Sequence, residues 1–167
     1  FDTAQFLTDY VPGFEDSYLH FVDPYFHARG GPSVLTEYVL TEQDTKDKSQ
    51  KEDVVFLADV HNVSDIAEEA FGYEPDRIFD FPYRQLLPRE IDNLIVTGRS
   101  AIVQPPITRV RWMVFLMGQA AGIAAAQSIE NNKEPKKINV KKLQKLLREK
   151  YNVPLDRQTA LETPQSN

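Results

Sequence analysis

Asp59 and His61 stand two residues apart at the end of a stretch rich in β-branched and aromatic residues. That spacing turns both toward one face of a strand, where a carboxylate can orient an imidazole for proton transfer; a polar strand end beside a turn has the same look. His20 and His27 have no partner at metal-ligand spacing and read as structural or exposed, so no metal site is expected. Cysteine is absent, which removes thiolate metal sites, iron–sulfur clusters and thiol catalysis together. No G-x-S-x-G stands in the chain, so a serine hydrolase of that type has no support. Asn62-Val63-Ser64 is a glycosylation sequon, relevant only to a secreted chain, and the compartment stays open.

A second cluster is positively charged. The short apolar run Asn93–Thr97 ends at Gly98, Arg99 follows, and Arg109 and Arg111 precede a long apolar stretch. Gly98 permits close backbone approach, and a helix N-terminus after a strand offers unpaired N–H groups beside the arginines. The combination suits an anion, such as a pyrophosphate or the N1/O2 edge of a reduced flavin; arginines in surface ion pairs fit the same residues. Gly118, Ala121, Gly122 and Ala125 make a strip with almost no side chain, which suits tight helix packing or a flat ligand. The seven glycines nowhere form G-x-G-x-x-G or G-x-x-x-x-G-K, so these residues hold no dinucleotide-binding loop.

The elements that must position these groups follow from pattern. Helices are expected at 2–10 and 15–22, broken by Pro12-Gly13, and strands at 35–41, 54–61 and 79–84. The run Asn93–Thr97 has the look of a strand buried on both faces. A helix should run from about Arg109 to Glu130, apolar nearly all round and therefore buried, with Thr108 as N-cap and Asn131-Asn132 as its stop. Asn139 should cap a last, amphipathic helix from Val140 to Lys150. The polar stretch Gln43–Asp53 and the residues after Pro154 read as loop or disorder.

At 167 residues and 41% hydrophobic, the chain can bury one real core. Its formal charge of −6 argues against a nucleic-acid groove or a polybasic membrane surface. Residues 133–150 are the exception, with eight basic and two acidic side chains, a solvated basic cap. The longest apolar run, Trp112–Ala126, has 15 residues, too short to span a bilayer. A start at Phe1 rather than Met reads as a processed, excised or partial product.

FPYRQLLPREIDNLIVTGRS (Phe81–Ser100), followed by RVRWMVFLMGQAAGIAAA (Arg109–Ala126), resembles the C-terminal part of the FAD-dependent oxidoreductase family, of the glutathione-reductase-like FAD-binding class. DYVPGFEDSYL, LTEYVLTEQD and DVVFLADVHN resemble the part upstream of it, so the resemblance spans about Asp9 to Tyr151. It implies an α/β fold: the C-terminal portion of a two-domain FAD/NAD(P)-binding-type oxidoreductase. Residues 1–84 would give part of a substrate-domain β-sheet, 85–151 the last parallel strand and buried helix of the FAD domain plus a surface helix, and 152–167 a tail.

It further implies FAD as cofactor, with Gly98, Arg99, Arg109 and Val110 approaching the flavin, and Asp59 and His61 on the family's Asp-x-His motif. The partner would be the N-terminal flavoprotein portion carrying the dinucleotide-binding loop, as a separate chain or a missing segment, with a small-molecule substrate giving hydride to the flavin. The loop SAIVQPPIT is shorter than the family's and lacks its His and Glu. A non-catalytic structural or binding subunit that keeps the flavoprotein fold is therefore the second expectation.

Overall fold

The computed structural model describes residues 2–22, 32–46, 50–59, 78–101 and 111–158. Helix α1 spans Asp2–Tyr10 and α2 spans Glu42–Lys46; strand β1 is Val54–Asp59 and β2 is Ile78–Pro82. Helix α3 follows at Arg111–Glu130 and α4 at Val140–Tyr151. Single 3-10 turns lie at Tyr83–Leu86, Gly98–Ala101 and Pro135–Lys137. The architecture is mixed α/β around a small antiparallel sheet.

Strand β1 pairs with β2, Phe56 opposite Phe81 and Leu57 opposite Asp80, with a bulge between Val54 and Phe56. The two rings stack at 4.4 Å. Both faces of β1 are covered, which explains its unbroken apolar run VVFLA. Met113, Met117, Ala120 and Ala124 of α3 and Leu143 and Leu147 of α4 complete the core. Asn139 caps α4 as expected, its side chain accepting the Lys142 N–H. The stop of α3 at Asn131-Asn132 also holds, with Asn132 left-handed and the Lys133 N–H returning to the Ser128 carbonyl.

Several expectations are corrected. Residues 15–22 form turns rather than a second helix; Gly13 is left-handed at φ 94° and every side chain there is exposed, so no packing supports a helix. Residues 35–41 are not a strand of the β1 sheet. They meet the chain after β2 instead, through the Thr36–Pro88 bridge, the Glu37 N–H to Leu87 carbonyl and the Arg89 N–H to Leu35 carbonyl. Thr36 Oγ1 donates to the Tyr38 carbonyl, and the chain bends at Glu37-Tyr38.

The double-buried parallel strand at Asn93–Thr97 is not formed either. The segment carries no strand pairing among the described residues; Leu94 is 40% exposed, and the Val96 N–H bonds the Leu86 carbonyl. A run that is apolar on both sides becomes a strand only beside neighbours that cover both sides. Helix α3 is buried on one face and not all round: Phe115 is 74% and Ile129 82% exposed. Its apolar stretch is longer than the 15-residue run, since Trp112–Glu130 is long and apolar enough, by length and composition, to cross a bilayer. Residues 152–158 are no loose tail, because Val153 and Leu155 are buried and Arg157 pairs with the buried Asp80.

Candidate functional site

The 3-10 turn Gly98–Ala101 sits where the extended 93–97 segment ends. Gly98 takes φ 71°, a left-handed conformation that strains any residue with a Cβ. Among the described residues an added Cβ would meet Val114 Cγ1, at 3.8 Å, an ordinary contact, so Gly98 is required by backbone conformation. Arg99 is exposed beside it, and Ala101 is fully buried at the other end of the turn. The Ser100 carbonyl accepts the Val34 N–H at 2.8 Å, and the Ala101 carbonyl accepts Gln85 Nε2. Residues 34–40 and the 83–86 turn thus fix the end of the 98–101 turn. Helix α3 packs against the same turn through Val114.

Of the residues expected at the site, Gly98 and Arg99 stand together on this turn. Arg109 and Val110 lie outside the described residues, as does Thr108, so their approach to the turn is not part of this geometry. Asp59 is the last residue of β1, opposite Ile78, while His61 lies outside the described residues. His27 and the Asn62 sequon also lie outside them. His20 is exposed, its ring 6.0 Å from that of Tyr18.

Sequence reasoning missed a charged cluster behind the turn. Tyr38 donates its hydroxyl to Asp44, and Lys51 Nζ lies 2.8 Å from the Asp44 carboxylate. The Tyr38 ring lies 5.0 Å from the Lys51 ammonium and 5.2 Å from the Arg84 guanidinium. Arg84 bonds Asp53 through Nε at 2.9 Å and Nη2 at 3.1 Å. Burial and the bond to Asp44 push the Tyr38 phenol up. Burial works against ionised Asp44, but its bonds from Lys51, Tyr38 and Thr41 outweigh it and hold the carboxyl below its ordinary range. The bond to Asp53 raises Arg84 further. Asp44, Lys51 and Asp53 lie in the stretch that reads as polar loop and Tyr38 in the run 35–41 that reads as a strand; the three-residue spacing of Thr41 and Asp44 is the one local signal, that of a cap.

Two clefts lie apart from the turn. One, of about 570 Å³, runs between the start of β1 and α4 and is lined by Lys51, Glu52, Lys141, Lys145, Arg148 and Glu149 among others. Cations and anions alternate around it, so it selects no charge. The other, about 370 Å³, lies between α3 and α4, beside Gly122, Gln127 and Tyr151. Among the described residues no three metal-ligating side chains come together.

No curated protein and no solved structure matches the chain. The family model for FAD dependent oxidoreductase matches residues 2–147. This corrects the resemblance drawn at 9–151 and described as the family's C-terminal part: the match takes in nearly the whole 167-residue chain, α1 included, and is not confined to a C-terminal fragment. FAD is the cofactor that such a match implies, and with it the terms flavoprotein and FAD-binding. The chain belongs to the FAD-dependent oxidoreductase family.

Proposed function

We propose that the protein works in hydride transfer from a small organic substrate to FAD, with the Gly98–Ala101 turn at the pyrimidine edge of the flavin. The observation that carries this reading is Gly98 itself. It is held left-handed, has space for a Cβ beside it among the described residues and is flanked by an exposed arginine, a combination that suits a flat anionic edge. The residues present fit that edge and not the pyrophosphate, since no dinucleotide loop stands among the 167 residues.

Bound FAD supplies a two-electron acceptor at its N5 atom. Arg99 and Arg109, with the N-terminal end of α3, would hold the anionic pyrimidine edge of the cofactor. His61, oriented by Asp59, takes the proton that leaves the substrate as its C–H hydride departs.

A second segment carrying the G-x-G-x-x-G loop completes the cofactor site in this reading. Support comes from α3, whose outer face carries exposed Phe115 and Ile129 around Gly118 and Gly122, where an added Cβ would meet nothing within 4 Å. Small residues at that spacing admit another backbone closely.

The test is the flavin of purified native material under anaerobic conditions. Its visible absorbance should bleach with an oxidisable organic substrate, and Arg99→Gln should lower its reduction potential by an amount worth about 1–2 kcal/mol. A flavin indifferent to Arg99 would remove the turn from the site; a flavin that no reductant bleaches would favour a binding subunit.

A further inference from the structure

Gln85 is a buried polar side chain beside the turn, 1% exposed, and it uses both ends of its amide. Its Oε1 accepts the Leu40 N–H at 2.7 Å. Its Nε2 donates to Thr36 Oγ1 at 3.3 Å and to the Ala101 carbonyl. One side chain on the 83–86 turn therefore ties residues 36 and 40 to the last residue of the Gly98–Ala101 turn. With Val34 N–H on the Ser100 carbonyl, both closing carbonyls of that turn are held by hydrogen bonds from other segments.

The chemistry of this position is narrow. It needs a donor toward Ala101 and an acceptor toward Leu40 in one planar group of fixed length, which a primary amide supplies and neither a carboxylate nor a hydrocarbon does. Leucine would leave the Leu40 N–H and the Ala101 carbonyl buried without partners, and an ionised glutamate would set two acceptors against each other. Glycine is the residue with the most backbone freedom to lose, so keeping Gly98 left-handed depends on what anchors the rest of the turn.

We propose that Gln85 is a positioning residue for the flavin: its amide fixes the Gly98–Ala101 turn and so sets where Gly98 and Arg99 meet the cofactor edge. This rests on the reading that the turn meets the flavin. A second buried glutamine provides the control. Gln144 on α4 donates through Nε2 to the Glu52 and Val54 carbonyls at 2.9 and 3.0 Å, equally structural but tied to the start of β1.

The experiment compares Gln85→Leu, Gln85→Glu, Gln144→Leu and Arg99→Gln in the flavin-loaded holoenzyme, reading Tm, FAD dissociation and the visible absorption maxima of the flavin. Both Gln85 variants should lower Tm, weaken FAD by about tenfold, the scale of one buried hydrogen bond, and shift the absorption maxima. Gln144→Leu should lower Tm and leave the flavin readouts alone. If the Gln85 variants behave like Gln144→Leu while Arg99→Gln still perturbs the flavin, the positioning role is wrong and the site reading stands. If neither Arg99→Gln nor the Gln85 variants perturb it, both fall. The glutamate variant keeps the side-chain size, so a leucine variant that does not fold leaves the comparison intact.

Discussion

Lys51 Nζ lies 2.8 Å from Asp44 Oδ1, and the two side chains are only 12% and 10% exposed. Removing one partner leaves an uncompensated buried charge, which costs more than the pair contributes when whole. Lys51→Met is therefore expected to lower unfolding free energy at neutral pH by about 3 kcal/mol.

The pH dependence of that loss follows from the directions of the shifts. Asp44 is held below its ordinary range, so its contribution is complete above the unfolded value, near pH ~4, and is lost as pH falls through the folded value. For Lys51, burial lowers the pKa but the bonds to Asp44 and Tyr38 outweigh it. Its raised pKa gives stability present below about pH 10 and lost as pH rises through the folded value. Urea unfolding of wild type and Lys51→Met should show a gap that narrows on acidification, as Asp44 protonates in the variant; a constant gap from pH 7 to pH 3 would contradict the buried pair.

Asp53 and Arg84 are unequal partners. Asp53 is buried and its Oδ2 also accepts the Arg84 backbone N–H at 3.0 Å, while the Arg84 side chain is 50% exposed. Screening discounts the arginine's share, whereas loss of the carboxylate also strands a backbone donor. Asp53→Ala should cost about 2 kcal/mol and Arg84→Ala about 1 kcal/mol in denaturant unfolding. Equal losses would mean that the bond to the backbone contributes nothing.

Much of the fold was legible where a local pattern meets local packing. Asn139 before an amphipathic run gave α4, and alternating or continuous β-branched residues gave β1 and β2. The misreadings share a cause in long-range partners. Residues 35–41 have strand composition, yet their partner is Leu87–Arg89, which no local signal names. Asn93–Thr97 carries the composition of a buried strand without strand neighbours among the described residues. Val153 and Leu155 look like a tail until the groove they fill is built by α4 and β1.

Gly98 and Arg99 were readable as candidates because glycine and arginine carry their chemistry in their type; the structure puts them side by side on one turn. Gln85 was not, because an amide becomes a hub only when Leu40 and Ala101 are brought to it.

His61→Ala should slow substrate-driven flavin reduction by about 10² to 10⁴ and leave flavin content unchanged, the signature of a lost proton acceptor. Stopped-flow bleaching under anaerobic conditions reads the rate. An unaltered rate would make Asp59 and His61 a strand terminus only.

In the proposed reading these 167 residues form one edge of an FAD site that a second segment completes. Titrating FAD into residues 1–167 alone, and into the same residues with a polypeptide carrying a G-x-G-x-x-G loop of the family, tests it most directly by flavin fluorescence quenching and sedimentation. The expected result is no saturable quenching by the chain alone, and stoichiometric quenching in a complex that sediments as one species. A monomer of residues 1–167 that binds FAD stably on its own would contradict it.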